Sequence, residues 1–371
     1  MMLFRLLLPA LLLLQTTLAC QVPVFRYALE RWEADPFRLQ VVYREDLSPT
    51  LQKMLLATQG ELSAKPPVAN LTLETLDAER LTETQQLSVP GLDLIEQWPA
   101  FLLHPPKSWA DSPPLVLEAS EQSLQQILHS PARQRCIDDL LAGESAVWFL
   151  IESGDTAADE AAFDLLQRSL ERAKGQIEIP EGVMRAEDLE NFSGEVDLDD
   201  VLRSSIPLKI SFKIERLRRD DPAEQVFLKL LTGPTQLKEA GPVIVPIFGR
   251  GRSPGPVPAS AVTEERIIQA CAYLCGACSC QVKSGNPGYD LLFRANWHEH
   301  LQDGLVVVDK VLPPLPGVGA LTGSTPTDAP VSPASAPPSK ATAPIWWIAG
   351  GVLALVLIGG TFILVRNSNS N

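Results

Sequence analysis

The sequence predicts an α/β protein body with a mixed sheet and flanking helices. Strand-like and helix-like segments alternate along most of the chain, which is typical of proteins with parallel strands. The run 146–152, AVWFLIE, is almost wholly apolar and suits a central strand. The run 208–215, LKISFKIE, alternates apolar and polar residues, as expected of a strand with one buried face.

The first half of the body predicts two helices and two strands, then a hairpin and a long helix. The helices fall at 24–32 and 48–60, and the strands at 38–45 and 68–76. Ser48 and Pro49 give the second helix its cap and its first-turn proline. Two short apolar runs, 98–105 and 113–120, flank a proline-rich turn and predict the hairpin. The segment 120–143 predicts a helix interrupted near Pro131.

The second half repeats this alternation. After the strand at 146–152 comes the clearest amphipathic helix, 155–175, with Phe163, Leu166 and Leu170 on one stripe. A strand at 208–215, a helix at 220–233, a buried strand within 242–251 and a helix at 263–276 complete the series. The glycine-rich stretch 249–255, GRGRSPG, lacks the context of a phosphate loop and is interpreted as a surface turn.

Both ends of the chain carry membrane-related signals. Residues 1–19 combine Arg5 with an apolar core and small final residues, which predicts a secretory signal peptide and a mature chain beginning near Cys20. Lipidation of Cys20 is the alternative, although Thr17 stands where a lipoprotein signal carries leucine. Residues 345–365 contain no charge and, at ~1.5 Å per residue, are long enough to cross a bilayer as a helix.

These signals predict a single-pass membrane protein. Arg366 ends the hydrophobic segment, so 366–371 form a short cytoplasmic tail, and the body lies in the periplasm or extracytoplasmic space. The stretch 312–344 is rich in Pro, Ala, Ser and Thr and predicts an extended tether between body and membrane.

Composition excludes one class of partner. The formal charge is −14 and the pI is near 4.8, whereas nucleic acids and anionic membrane surfaces are bound by basic patches. We therefore expect no nucleic-acid partner. Acidic residues concentrate at 181–200, which lacks the frame of a calcium loop and is interpreted as a solvated connector.

The first half resembles the thioredoxin family. CQVP at 20–23 is similar to that family's Cys-x-x-Cys segment, and WPAFLLH at 98–104 is similar to its strand opened by a cis-proline. The resemblance implies that Cys20 is the reactive thiol and Pro99 the neighbouring cis-proline. Pro23 stands where the second cysteine would be, and no strand precedes Cys20.

The resemblance implies one or two thioredoxin-like units. The first would span 20–143, and the second, with the cysteine cluster, 144–311. In the second, Gly154 and Asp155 stand where cysteines would be, and Pro242 opens a later strand. The segments CQVPVFRYALERW and GACSCQVKSGNPGYDLL also resemble exported bacterial proteins of uncharacterised function.

Four of the six cysteines lie in CAYLCGACSC, 271–280. Exported proteins meet oxidising conditions, so disulfides are one interpretation, with pairs 271–278 and 275–280, and with Cys20 joined to Cys136. The other interpretation is a redox or metal site in which Cys271, Cys275, Cys278 and Cys280 bind zinc, copper or an iron–sulfur cluster. His298 and His300 are candidate additional ligands.

Two functions remain open at this point. The first is a thiol-redox or metal-handling accessory protein of the cell envelope, with an envelope protein as partner. The second is a non-catalytic scaffold whose cysteines only staple the fold. The missing second cysteine after Cys20 favours the scaffold, and the clustered cysteines favour the redox or metal protein.

Overall fold

The computed structural model describes residues 21–109, 112–191, 198–233, 240–285 and 287–301. The chain divides into a unit of residues 1–307 and a second unit of residues 308–371, and every described residue belongs to the first. The predicted leader, Cys20, the tether, the hydrophobic segment 345–365 and the tail lie outside the described residues. No helix within the described ranges has the length and hydrophobicity to cross a membrane.

The first half contains five α-helices and four strands in the described ranges. In chain order they are α1 (Val24–Arg31), β1 (Phe37–Tyr43), α2 (Pro49–Leu62), β2 (Leu71–Asp77), α3 (Glu83–Leu87), β3 (Ala100–His104), β4 (Leu115–Glu118), α4 (Glu121–Leu128) and α5 (Pro131–Leu141). Ser48 Oγ accepts a hydrogen bond from the Leu51 N–H, and Pro49 occupies the first turn of α2. Ser130 and Pro131 begin α5 in the same way, which confirms the interruption predicted near Pro131.

The second half continues with five α-helices and six strands in the described ranges. They are β5 (Ala146–Glu152), α6 (Thr156–Gln176), β6 (Phe212–Arg218), α7 (Gln225–Thr232), β7 (Val243–Ile247), β8 (Arg252–Ser253), β9 (Val257–Pro258), α8 (Glu264–Cys275), α9 (Cys280–Gly285), β10 (Tyr289–Asp290) and α10 (Trp297–Leu301). The strand predicted at 208–215 begins later, at Phe212, because its pairing with β5 starts where Phe212 faces Ala146. The alternation of apolar and polar residues already begins at Leu208, before the residues that pair with β5, and for this reason the predicted start was too early.

The two main sheets have the same strand order. Sheet I has the order β2-β1-β3-β4, with β1 parallel to β2 and antiparallel to β3. Sheet II has the order β6-β5-β7-β9, with β5 parallel to β6 and antiparallel to β7. In each sheet a helix joins the parallel pair, α2 in sheet I and α6 in sheet II. The prediction of mixed sheets with flanking helices is confirmed.

The two sheets share one hydrophobic core. This inner core contains Leu39 and Phe101 from sheet I, and Phe149 and Val245 from sheet II, together with buried residues of α2, α4, α5 and α7. The Phe149 ring meets the Phe227 ring of α7 edge to face, with 5.3 Å between centroids. Burial of apolar surface is the main source of folding free energy, so both halves contribute to one stabilising cluster. The predicted boundary at 143/144 does not separate two cores.

The opposite face of sheet II has its own core. This outer core contains Trp148 and Leu150 from β5, Leu166 from α6, Ile267 from α8 and Phe25 from α1. Sheet II is therefore covered by helices on both faces. The opposite face of sheet I carries a smaller cluster around Val42, Ala78 and Leu102.

A buried ion pair fastens α1 to the connection between α6 and β6. Arg26 Nε lies 2.8 Å from Glu30 Oε1, and both side chains are inaccessible to solvent. Arg26 Nη2 donates to Ser204 Oγ at 2.9 Å, and the Ser204 N–H donates to Glu30 Oε1 at 3.1 Å. Hydrogen bonds of this kind offset the cost of removing both charges from water.

The acidic segment 181–200 was predicted to be a solvated connector; Glu181, Glu187 and Leu198 are exposed, while its end at Asp199 and Asp200 is also bonded to the body. The Gln21 N–H donates to Asp200 Oδ1, and Lys283 pairs with Asp199. Arg31 Nη2 also donates to the Asp199 carbonyl at 3.2 Å. Basic side chains and backbone amides from distant parts of the chain therefore hold this end against the body.

Candidate functional site

The cysteine cluster is positioned by α8. Thr263 Oγ1 accepts a hydrogen bond from the Arg266 N–H at 3.4 Å and begins the helix. Cys271 and Cys275 lie four residues apart on its buried face, beside Leu274. The helix ends at Gly276, where a Cβ would come within 2.9 Å of the Ala272 carbonyl oxygen. The chain turns there and brings Cys278 back to the same outer core.

The first described residues of the chain pair with this turn. The Val24 N–H donates to the Gly276 carbonyl, and the Cys278 N–H donates to the Val22 carbonyl, both at 3.0 Å. Pro23 and Ala277 form an antiparallel bridge between these two bonds. The chain region next to Cys20 and the cysteine cluster, which sequence reasoning treated as two sites, therefore meet in one place.

Burial disfavours the thiolate form of Cys271 and Cys275. Cys271, Cys275 and Cys278 have no solvent-accessible surface. Burial raises the pKa of Cys271, and the neighbouring Cys275 raises it further. Burial also raises the pKa of Cys275 to about 12, although a hydrogen bond with Ser145 acts in the opposite direction. The thiolate is the nucleophile and the metal ligand, so burial disfavours the reactive form of Cys271 and Cys275.

The predicted metal site is only partly described. Among the residues that the structure describes, no group of three or more His, Cys, Asp or Glu side chains is close enough to hold a metal ion. Cys280 begins α9, and its side chain lies outside the described part. His298 and His300 lie on the short helix α10. A four-sulfur site for zinc, copper or an iron–sulfur cluster therefore stays a prediction, because its fourth ligand is not described.

The disulfide alternatives that use the described cysteines are not formed. Cys136, Cys271 and Cys275 are free thiols. This rules out the pairs 271–278 and 275–280 in the structure, and also a bridge from Cys20 to Cys136. Cys136 lies on α5 in the inner core, and burial raises its pKa well above the ordinary value.

The second predicted site residue, Pro99, belongs to sheet I. The Trp98–Pro99 peptide bond is cis, and the Pro99 carbonyl accepts a hydrogen bond from the Ala119 N–H at 3.0 Å. The Arg44 guanidinium lies 4.0 Å from the centre of the Trp98 ring. Pro99 therefore faces the loop that follows β1, whereas the chain next to Cys20 pairs with the cysteine cluster behind sheet II.

Sequence reasoning missed a cavity at the carboxyl ends of β5 and β6. It has a volume of about 510 Å³ and is lined by Arg216, Arg218 and Arg219, with Glu152, Asp159 and Asp220 among the facing acids. Arg216 bonds Glu152 and Glu160, and Arg218 bonds Asp220. The arginines and acids balance in charge, so the lining indicates no preference for an anion. The alternating arginines of β6 were the available signal.

The interpretation of 249–255 as a surface turn is wrong for its centre. Arg252 and Ser253 form the buried strand β8, which pairs with β10. Arg252 Nη1 lies 2.7 Å from Asp290 Oδ2, and both side chains are buried. Gly251 has a φ of +99°, and a Cβ there would come within 2.5 Å of the Phe293 ring. The glycines therefore allow close packing.

A scan against protein-family models and a search of curated proteins both found no match to this chain.

Proposed function

We propose that this chain is an exported, membrane-tethered protein that acts by binding another envelope component, without thiol or metal chemistry of its own. One observation carries the proposal. Two loops, 44–48 after β1 and 153–155 after β5, follow the inner strand that has a parallel neighbour, and neither contains a cysteine.

The repeated strand order makes these two loops equivalent. Each follows one of the two inner strands of its sheet and precedes the helix that leads to the parallel neighbour of that strand. In the thioredoxin-like interpretation, the loop at 153–155 occupies the place of the reactive cysteines. Its counterpart in the first half is 44–48, because α2 corresponds to α6. Cys20 precedes α1, whose counterpart is α5, so the repeat assigns Cys20 to no reactive loop.

The state of the described thiols also supports a non-catalytic role. Cys271 and Cys275 are fully buried among apolar residues, and their thiol pKa values are raised. A redox or metal protein would have to expose and deprotonate these groups before they reacted. The chain instead uses them as small apolar side chains of the outer core.

One observation favours the second candidate, a thiol-redox or metal-handling protein. Three cysteines, Cys271, Cys275 and Cys278, belong to the same cluster of packed side chains. Soft thiolates arranged this way suit zinc or copper(I) once they are deprotonated. The two candidates therefore differ in whether this cluster ever opens.

Metal analysis with thiol counting separates the two candidates. The full chain, expressed with its leader and purified anaerobically in detergent, is titrated with an aromatic disulfide reagent before and after denaturation. We expect no stoichiometric zinc, copper or iron, and slow reaction of the clustered thiols until the chain unfolds. Cys136→Ser is the matched control, because Cys136 is equally buried but lies in the inner core.

Stoichiometric metal that disappears in Cys278→Ser but persists in Cys136→Ser would overturn the proposal. A clustered thiol that reacts at once in the native chain and reduces a disulfide substrate would do the same. The membrane arrangement is tested separately by adding a protease to intact spheroplasts. We expect digestion of the body from outside, and a fully protected body would contradict export.

A further inference from the structure

A second cavity lies beside the β3–β4 hairpin of sheet I. This hairpin cavity has a volume of about 240 Å³ and is bordered by the hairpin, the start of β1 and the end of α7. Most of its wall is apolar and consists of Phe37, Leu103, Trp109, Leu115 and Leu230. These side chains belong to the inner core or pack against it, so the cavity continues that core towards the surface.

The aromatic wall of the hairpin cavity is held in place from several sides. The Trp109 indole N–H donates to the Asp290 carbonyl at 2.9 Å, and the Ser112 hydroxyl donates to the Trp109 carbonyl at 2.7 Å. The Trp109 ring meets Phe37 and Tyr289 edge to face, with centroids 5.4 and 5.3 Å apart. A wall that is already fixed does not have to be ordered when a ligand enters, and this favours binding.

One charge borders the hairpin cavity. Lys229 is the only charged residue among the described residues that line it, and its side chain is exposed. Within the described part of the chain, the Lys229 ammonium has no ion-pair or hydrogen-bond partner. The cavity at the carboxyl ends of β5 and β6 differs, because its arginines are balanced by acids. An apolar cavity with a single unbalanced cation is suited to a ligand that carries one negative charge.

The other side of Lys229 does not supply the missing acid. A neighbouring cavity of about 230 Å³ also uses Lys229 and Thr232, and no acid is among its described lining residues. Its second cation, Arg219, donates to the Gly241 carbonyl. In a chain whose formal charge is −14, this is a local region of positive charge next to an apolar cavity.

We propose that the hairpin cavity binds a small organic acid. The apolar body of the ligand lies against Trp109 and Leu115, and its carboxylate is directed towards Lys229. An apolar cavity of about 150 Å³ is large enough for benzene. The volume of about 240 Å³ therefore accommodates one aromatic ring or a short branched chain. The site goes beyond the proposed function, since it takes a small ligand and requires neither export nor a protein partner.

A pair of matched ligands tests the site. The probes are 3-phenylpropionate and its uncharged amide, titrated by ligand-observed NMR against the full chain in lipid nanodiscs at pH 7, with empty nanodiscs as the reference. We expect saturable binding with a dissociation constant on the order of 1 mM for ligands of this size. The acid should bind about two- to fivefold more tightly than the amide, as expected for an exposed ion pair. The preference should shrink in about 0.5 M salt.

Variants of two exposed lysines separate the local charge from the general one. Lys229→Gln should weaken binding of the acid to the level of the amide and leave the amide affinity within about twofold. Lys174→Gln is the matched control, because Lys174 is exposed on α6 and lines neither cavity. It should retain the wild-type preference for the acid.

A larger side chain at the wall tests the cavity itself. Leu115 is half-buried, and Leu115→Trp should fill the space and weaken both ligands by about tenfold or more. The melting temperature of the ligand-free variant shows whether it folds. If it does not fold, the two ligands and Lys229→Gln still decide the assignment.

Three results would overturn the site. Equal affinities of the acid and the amide for the wild type, or a preference that persists in Lys229→Gln, would contradict the role of Lys229. Unchanged binding in a folded Leu115→Trp would place the ligands elsewhere. Absence of saturable binding to the wild type would contradict the cavity as a ligand site. Each result leaves the proposed function standing, because metal content and thiol reactivity are measured separately.

Discussion

Sheet I and sheet II have the same strand order but are covered differently. Sheet II is packed between two helical layers, so that Ala146 to Ile151 of its inner strand β5 are all buried. Sheet I has one face in the inner core, while its opposite face combines the small cluster around Val42 with polar side chains. On that face Gln40 Oε1 lies 3.4 Å from His104 Nε2, and Arg38 pairs with the exposed Glu74.

The difference shows that one topology accommodates two kinds of environment. A strand buried on both faces needs apolar residues at every position, as in β5, whereas β1 alternates towards a partly polar face. An ion pair beneath the helices that cover sheet II should therefore contribute more to the free energy of unfolding than one on the open face of sheet I. The following predictions test this difference, from the largest expected effect to the smallest.

Removing a ring from the shared core should have the largest effect. Phe149→Ala deletes a fully buried side chain that meets Phe227 between the two sheets, and we expect the free energy of unfolding to fall by about 3–5 kcal/mol. Urea denaturation followed by far-ultraviolet circular dichroism measures this. Leu56→Ala, at a position 70% exposed, is the control and should change it by about 0.5 kcal/mol or less.

Because both sheets contribute to that core, both halves should unfold in a single transition, and Phe149→Ala should move its midpoint to a lower urea concentration. Two separate transitions, with only the one assigned to sheet II moving, would show that the halves fold independently.

A buried and an exposed ion pair should differ strongly in their contribution to the free energy of unfolding. Glu30→Gln leaves the Arg26 charge without its partner in a site closed to water, so we expect a loss of about 3 kcal/mol. Glu74→Gln removes the partner of Arg38 on the open face of sheet I and should cost about 0–1 kcal/mol. Equal losses of unfolding free energy in the two variants, measured by denaturation in urea, would contradict the difference in burial between the two ion pairs.

The loop after β5 should depend on one carboxylate. Asp159 Oδ1 accepts from the Ser153 N–H at 2.7 Å, and Oδ2 accepts from the Gly154 N–H at 3.0 Å. Asp159→Asn turns one acceptor into a donor that faces an N–H, so we expect a loss of about 1.5–3 kcal/mol. Asp220→Asn, on the exposed side of the same cavity, is the matched control and should leave the free energy of unfolding almost unchanged.

Burial alone would raise the pKa of Asp159, but the hydrogen bonds from Ser153 and Gly154 outweigh it and lower the pKa. The contribution of Asp159 is thus complete above the ordinary carboxyl pKa of about 4, and is lost as pH falls below that value. Stability measured from pH 6 to 2.5 should fall less steeply in Asp159→Asn. An unchanged slope would contradict this role.

The smallest expected effect at neutral pH lies on the open face of sheet I. Burial, aided by the charge of Arg38, lowers the pKa of His104 to about 4. The unfolded chain binds a proton near pH 6.5 while the folded chain stays neutral, so stability should decrease as pH falls from about 6.5 to 4. In His104→Gln, the melting temperature should change less with pH over this window. His300→Gln, on α10, is the control and should keep the wild-type slope.

Much of the fold follows from local patterns. The apolar run of β5, the capped start of α2 and the break before Pro131 depend on neighbours in sequence, and each lies close to its predicted position. The burial of Arg26 and Glu30 could not be foreseen in this way. Their partner Ser204 comes 178 residues after Arg26, and charged residues on a short helix ordinarily indicate a solvated face.

The cysteines show the same limit. The spacing of Cys271 and Cys275 places both on one face of a helix, but spacing does not say whether that face meets solvent, metal or core. The outer core decides this, because Trp148, Leu166 and Phe25 converge on α8 and exclude water. The likeness of 20–23 to a reactive-cysteine segment likewise depended on neighbouring residues alone.

The sequence by itself determined the order of helices and strands and the alternation that predicts mixed sheets. The tertiary structure alone decided that both sheets share one core, that Arg252 is buried, and that residues 22–24 lie beside 276–278. The physical reason is that propensity, capping and periodicity act between near neighbours. Burial and ion pairing depend instead on which distant segments the fold brings into contact.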